Sequence, residues 1–117
     1  GLRAAAEALE TRATGEVATL ADGGRATVLA SYDTSEGACR QFQLRAAGGE
    51  IWDSLGCRDG AGWRVVLAFA ERAAGGYVPA EGAGAGAIDA YLVAIGASPP
   101  LDPEAEAERA RAGWGAE

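Results

Sequence analysis

The sequence predicts an α+β domain, an antiparallel meander sheet of about five strands with N- and C-terminal helices packed on one face. Three observations carry that reading. Between about residue 16 and residue 70 the apolar residues recur with a period of two, interrupted at regular intervals by turn-forming clusters. On either side of that stretch the spacing lengthens to that of a helix. The connections between the apolar runs are also short, which makes successive strands antiparallel neighbours.

Taken in order, residues 2–12 read as a helix: Leu2, Ala5, Ala6 and Leu9 share one face, with Arg3, Glu7 and Glu10 elsewhere. Strands follow at 16–20, 26–32, 38–45, 50–57 and 63–70. The turns between them are Ala21-Asp22-Gly23-Gly24, Asp33-Thr34-Ser35-Glu36-Gly37, Ala47-Gly48-Gly49 and Asp59-Gly60-Ala61-Gly62. Residues 72–86, rich in Gly and Ala around Tyr77, Val78 and Pro79, read as a long irregular connection. A helix over 87–96 places Ile88, Tyr91, Leu92 and Ile95 together and is stopped by Ser98-Pro99-Pro100. A last helix starts from Asp102 as cap, with Pro103 at its first position and Glu104 in its first turn. Arg109 and Arg111 lie near its end, Gly113 stops it, and Trp114 follows. Residues 1–98 therefore form a single α+β domain, and 99–117 an acidic helical tail expected to be mobile or loosely docked.

Composition narrows the chemistry. The 117 residues are 49% hydrophobic and 23% charged, an ordinary globular balance for one domain. The net charge is −7, and all ten basic residues are arginine, so phosphate backbones and anionic membranes are repelled. There is no histidine, hence neither the usual general base nor the commonest metal ligand. There is no lysine for Schiff-base chemistry or for a phosphate loop. No cofactor and no metal site are expected, and nucleic acid is not an expected partner. No apolar stretch approaches the roughly 18 residues of a membrane span, and no signal-peptide hydrophobic region stands out. With no methionine, the chain reads as a processed product or an excised domain.

The two cysteines test the strand register. With Gly48 at the centre of a three-residue hairpin loop, Cys39 falls directly opposite Cys57. Opposed Cα atoms lie about 4.5 or 5.5 Å apart, within reach of a disulfide. The same register pairs Gln41 with Leu55, Phe42 with Ser54 and Leu44 with Trp52. Centring the next hairpin on Gly60 makes Trp63 the partner of Cys57 and places Val65 beside Leu55. One face then carries Cys39, Cys57, Leu55, Trp63, Val65, Leu67 and Phe69; the other carries Val28, Phe42, Leu44 and Trp52. A disulfide points to an oxidising compartment. The competing readings are two buried thiols in a cytosolic protein, a redox-active pair, and a zinc site that two cysteines without histidine would not complete.

At this point the residues resemble a known pattern. Ala38-Cys39-Arg40-Gln41-Phe42, then Gly56-Cys57-Arg58-Asp59, then Gly62-Trp63-Arg64-Val65-Val66 is similar to a motif of small exported proteobacterial domains. One group is the surface-antigen type of outer-membrane protein. The chain more closely resembles the periplasmic C-terminal part of membrane-anchored anti-sigma factors of alphaproteobacteria. Gly15-Glu16-Val17, Ala30-Ser31-Tyr32 and Ala87-Ile88-Asp89-Ala90-Tyr91-Leu92 fit that group. Gln41 departs from it, standing where the pattern more often has an acidic residue, and the hairpin is shorter than in the surface-antigen type. The resemblance implies a periplasmic domain attached to the inner membrane only through an upstream anchor, with a sigma factor held by a cytoplasmic segment outside this chain.

Other features have plainer readings beside the functional ones. Gly82-Ala83-Gly84-Ala85-Gly86 hints at a dinucleotide loop, but Pro79 interrupts and no parallel crossover follows, so it reads as a helix lead-in. Asp33, Glu36, Asp53 and Asp59 offer carboxylates for glycosidase-like chemistry, although Asp33 and Asp59 suit turns. Ser31, Ser35 and Ser54 have no histidine or lysine to serve as base. Arg40 and Arg58 leave the cysteine face, flanking Gly56 near Tyr32, either as a carboxylate or anion site or as salt-bridge partners of Glu36 or Asp59. Trp52 is helix-covered core or part of a binding or dimer patch, and Trp63 is core against the disulfide. The leading functional expectation is a non-enzymatic periplasmic sensory or interaction domain whose partner is an envelope protein or a second copy of itself. The alternatives are an envelope structural or binding module and a small enzyme or inhibitor.

Overall fold

A computed structural model describes residues 5–60, 62–71 and 83–115. The expected start of the first helix at residues 2–4, and the irregular connection with Tyr77, Val78 and Pro79, lie outside the described residues. The elements are α1 (Ala5–Thr11), β1 (Val17–Thr19), β2 (Arg25–Thr34), β3 (Gly37–Arg45), β4 (Ile51–Asp59), β5 (Gly62–Glu71), α2 (Ala83–Ala94) and α3 (Pro103–Arg111). The five strands form one antiparallel sheet in the order β1-β2-β3-β4-β5, so the α+β class and the meander are as the sequence predicts.

The β3–β4 register is the expected one: Cys39 faces Cys57, Gln41 faces Leu55, Phe42 faces Ser54 and Leu44 faces Trp52. The β4–β5 register is not. Asp59 pairs with Gly62 across a two-residue loop, which makes Trp63 the partner of Arg58 and Arg64 the partner of Cys57. A one-residue slip turns side chains to the opposite face of a strand. Trp63 and Val65 consequently leave the disulfide face. An irregularity between Leu55 and Gly56 then sets Leu67, rather than the expected Val65, opposite Leu55, and returns Leu67 and Phe69 to the face where they were expected. A matching irregularity between Val28 and Ala30 brings Tyr32 opposite Cys39 and Ser31 opposite Arg40. Gly37 permits the tight β2–β3 turn. Its φ is +98°, and a Cβ there would lie 2.7 Å from the Arg58 carbonyl oxygen, so no side chain fits.

Helices lie on both faces, giving three layers where two were expected. On the first face, Ala5, Ala8 and Leu9 of α1 pack with Ala18, Leu20, Ala26, Val28, Phe42 and Leu44. Trp52, Trp63 and Val65 close the edges of that core. On the second, Ile88 and Leu92 of α2 cover the cysteines and Leu55, joined by Tyr32, Val66, Leu67 and Phe69. The physical reason is that neither face is polar enough to face water; a sheet apolar on both sides needs two covers. The second helix also starts earlier than expected, at Ala83, with Gly84 closely packed on Phe69.

The chain passes between the faces along the outer edge of β2. β1 pairs only with Arg25–Thr27, and residues 95–101 serve the edge beyond it. Ser35 N–H donates to Ile95 O (2.9 Å), Ser98 N–H to Asp33 O (2.8 Å), and Leu101 N–H to Ser31 O (2.8 Å). Asp33 N–H donates to Ser98 Oγ at 3.0 Å. This strap satisfies an edge that would otherwise invite strand addition, and it delivers α3 to the α1 side of the sheet. The cap is as expected: Ala105 N–H donates to Asp102 Oδ1 at 2.8 Å, with Pro103 in the first turn.

One buried group stands apart. Ser54 is fully buried on the first face, and its hydroxyl has no hydrogen-bond partner among the described residues. An unpaired hydroxyl in an apolar core is a cost that alanine removes. Ser54→Ala is expected to leave stability unchanged or raise it by up to about 1 kcal/mol, read as the urea midpoint. A loss larger than that would show that the hydroxyl has a partner in solution.

Candidate functional site

The centre of the first face is a buried arginine. Arg40 projects from β3 at 0% exposure. Its Nε donates to Ser31 Oγ (2.7 Å), its Nη1 to the Leu9 carbonyl near the end of α1 (2.6 Å), and its Nη2 to Glu106 Oε2 of α3 (3.1 Å). The guanidinium also lies 4.6 Å from the ring centre of Trp114. One side chain thus joins β3, β2, α1 and α3.

Glu106 is the counterpart. It takes the hydroxyl of Ser31 (2.6 Å), the N–H of Thr14 (2.8 Å) and the hydroxyl of Thr14. Burial alone would push its carboxyl up; the Ser31 and Thr14 hydroxyls, the Thr14 N–H and the Arg40 charge together hold it below the usual carboxylate range. Burial likewise draws the Arg40 guanidinium down, opposed by Glu106 and, more weakly, by Glu10 and Glu16.

A second polar cluster sits beside the first. Glu10 Oε1 accepts from Trp63 Nε1 (2.7 Å) and Arg58 Nε (3.0 Å), while the Glu10 carbonyl accepts from Trp114 Nε1 (3.0 Å). Trp63 and Trp114 meet edge to face, 5.4 Å between centroids at 78°. Trp114 has a φ of +62°, unusual for a bulky residue, and its N–H closes the end of α3 on Arg109 O at 2.7 Å. Arg109 forms a two-pronged pair with Asp33 (3.1 and 2.7 Å), which lowers the Asp33 carboxyl. The tail expected to be loosely docked is therefore anchored, with Trp114 only 4% exposed.

The residues singled out from sequence are distributed as follows. Cys39 and Cys57 form the disulfide, buried beneath α2 with Cα atoms 4.0 Å apart. Arg40 and Arg58 do share a face, but their carboxylate partners are Glu106 and Glu10, from elements distant in sequence, rather than the Glu36 or Asp59 expected nearby. Tyr32 is not with them. It lies on the disulfide face, where burial and then the Asp89 charge raise its hydroxyl pKa. Trp52 is half-buried at the edge of the first core, and Trp63 sits on that same face rather than against the disulfide. Asp53 lies six positions along β4 from Asp59, about 20 Å at strand rise, too far for a glycosidase carboxylate pair. Ser31 serves as a hydrogen-bond bridge between Arg40 and Glu106. Of the glycine-rich run, Gly82 is outside the described residues and the rest forms the first turn of α2. The sequence carries no site signal for Glu10, Thr14, Glu106 or Trp114: an acidic residue on an alanine-rich helix, such as Glu10 or Glu106, reads as solvated until its long-range partner is known.

Between α3 and the link from α1 to β1 lies an open groove of about 400 Å³. Its apolar lining is Ala13, Leu101, Pro103, Ala107, Ala110 and Trp114, joined by the exposed Arg12, Arg111 and Glu16 and by the buried, internally paired Glu106. Among the described residues there is no group of three or more side chains able to hold a metal, and no helix long and apolar enough to cross a membrane. Comparison with protein-family models, curated proteins and solved structures finds no match.

Proposed function

We propose that this chain is a sensory or interaction domain that works by binding, exported to an oxidising compartment. In its finer form this reading makes it the periplasmic domain of a membrane-anchored anti-sigma-factor-like regulator. The observation that carries the binding role is how the charged chemistry is used. Arg40, Arg58, Arg109, Glu10, Glu106 and Asp33 are committed to holding α1, α3 and the sheet together, while a preformed groove remains open beside them. Such a site presents a shaped surface rather than a nucleophile and base. The buried disulfide supports the oxidising compartment, and the cysteine-centred motif supports the finer assignment.

Thiol trapping in cells producing the intact gene product tests this reading. In denatured cell extracts Cys39 and Cys57 are expected to resist alkylation unless first reduced, and in intact spheroplasts the domain is expected to be open to added protease. Recovery of both as free thiols, in a domain shielded from protease until the inner membrane is broken, would overturn the exported assignment.

A further inference from the structure

We propose that the groove between α3 and residues 11–16 binds a medium-chain monocarboxylate, its apolar tail along Leu101, Pro103, Ala107 and Ala110 and its head between Arg12 and Arg111. The proposal rests on the binding role above and names the ligand class for it.

Several polar groups lining the groove are already engaged. The Thr14 N–H and hydroxyl are taken by Glu106, the Ala13 N–H by Glu16 Oε1 at 2.8 Å, and the Thr11 hydroxyl by the Glu7 carbonyl at 2.9 Å. Glu106 is itself neutralised by Arg40. Among the described residues, Arg12 and Arg111, like Arg25, Arg45 and Arg64, have no ion-pair partner, whereas Arg40, Arg58 and Arg109 each have one. In a chain of net charge −7, two exposed guanidiniums against one carboxylate, Glu16, leave this groove with a positive excess. A planar fork of donors matches a carboxylate.

The remainder of the lining selects the tail. Alanine, proline, leucine and the small exposed part of Trp114 offer dispersion and desolvation but few donors or acceptors. An extended peptide would find few hydrogen-bond partners for the backbone groups it turns toward that lining. A sugar or nucleoside would meet the same penalty. An unbranched alkyl chain carries no such groups. The volume of about 400 Å³ falls at the lower end of the roughly 300–1,000 Å³ typical of small-molecule sites.

Titration of the 117-residue chain with decanoate, followed by amide chemical shifts, tests the assignment, with decanol and decyltrimethylammonium as controls. Saturable binding below the micellar range is expected, with shifts confined to residues 11–16 and 101–114. Decanol is expected to bind at least tenfold more weakly, and the cationic amphiphile more weakly still. The variant carrying Arg12→Gln and Arg111→Gln should lose the preference for decanoate while keeping its affinity for decanol. Both residues are exposed, so the fold is expected to persist, and the unchanged decanol titration doubles as the check. Absence of saturation, shifts mapping elsewhere, equal affinity for decanol, or stronger binding of an acidic peptide would each overturn the proposal. None of these outcomes bears on the thiol-trapping result, so failure of the ligand class and failure of the exported assignment remain distinguishable.

Discussion

Glu106→Ala is expected to cost about 3–5 kcal/mol, because it strands a fully buried arginine without its counter-charge. The loss should be local before it is global. Glu106 is the contact through which α3 reaches Arg40, Ser31 and Thr14, so α3 and Trp114 should detach first. Limited proteolysis between Leu101 and Trp114, together with loss of the near-ultraviolet signal from the Trp63–Trp114 pair, reads that step. Replacing both partners distinguishes a stranded charge from a lost contact. The variant joining Arg40→Met with Glu106→Leu should recover much of the loss, since well-packed apolar residues often match a buried ion pair. Equal destabilisation in the single and double variants would show that the loss comes from the stranded Ser31, Thr14 and Leu9 groups rather than from the unpaired charge.

The same carboxylate gives the domain a pH dependence of defined sign. Glu106 is held below the usual carboxylate range in the folded chain, so the unfolded chain takes up its proton at higher pH. The stability it contributes is therefore fully present above the unfolded value of about 4.3 and is lost as pH falls through the folded value. Asp33, lowered by Arg109, acts in the same direction from a more exposed position, where screening weakens it. Urea midpoints measured from neutral pH downward should fall along an acid limb that is shallower in Glu106→Gln. Parallel limbs in the two proteins would remove Glu106 as the main acid-sensitive group.

How much of this was legible in the sequence depended on whether two independent local signals met. The Cys39–Cys57 register was readable because a glycine-centred turn and a cysteine pair agree on one alignment. No second marker accompanied the Asp59–Gly62 turn, and a two-residue loop there instead of three sent Trp63 to the opposite face. Both faces of the sheet are apolar, so hydrophobic alternation did not reveal the slip. The second irregularity, beside Gly56, concealed it further by returning Leu67 and Phe69 to the face expected of them. The helices were legible as elements through caps and periodicity, but their placement was not. α3 reads as a solvated acidic helix, and only its meeting with Arg40, 66 positions earlier, makes Glu106 a core residue. An ion pair at that separation leaves no periodic trace, and the groove that α3 completes was hidden for the same reason.

Reduction of the disulfide should lower stability by about 3 kcal/mol, the loop-entropy value for a cross-link of this span, out of a total of about 5–15 kcal/mol for a domain. The effect should be concentrated on the disulfide face. Cys39 is 0% exposed and Cys57 4%, and both lie under Ile88 and Leu92 of α2, so the reductant gains access only when α2 lifts. Reduction is therefore expected to be slow under native conditions and to accelerate with urea in proportion to local opening. Once reduced, the β3–β4 ladder retains its backbone pairing through Leu44 and Trp52, and the Arg40–Glu106 network on the other face is untouched. Amide exchange in α2 should thus increase well before exchange in α1 and α3. The oxidised chain and a Cys39→Ala, Cys57→Ala variant separate the cross-link from the thiols, since the variant loses both the bond and the buried sulfurs. If urea midpoints of oxidised and reduced chains coincide, the cross-link contributes nothing to folding. The disulfide would then lend no stability argument for an oxidising compartment. If they differ as expected, a domain that loses about 3 kcal/mol in a reducing environment has a physical reason to be exported.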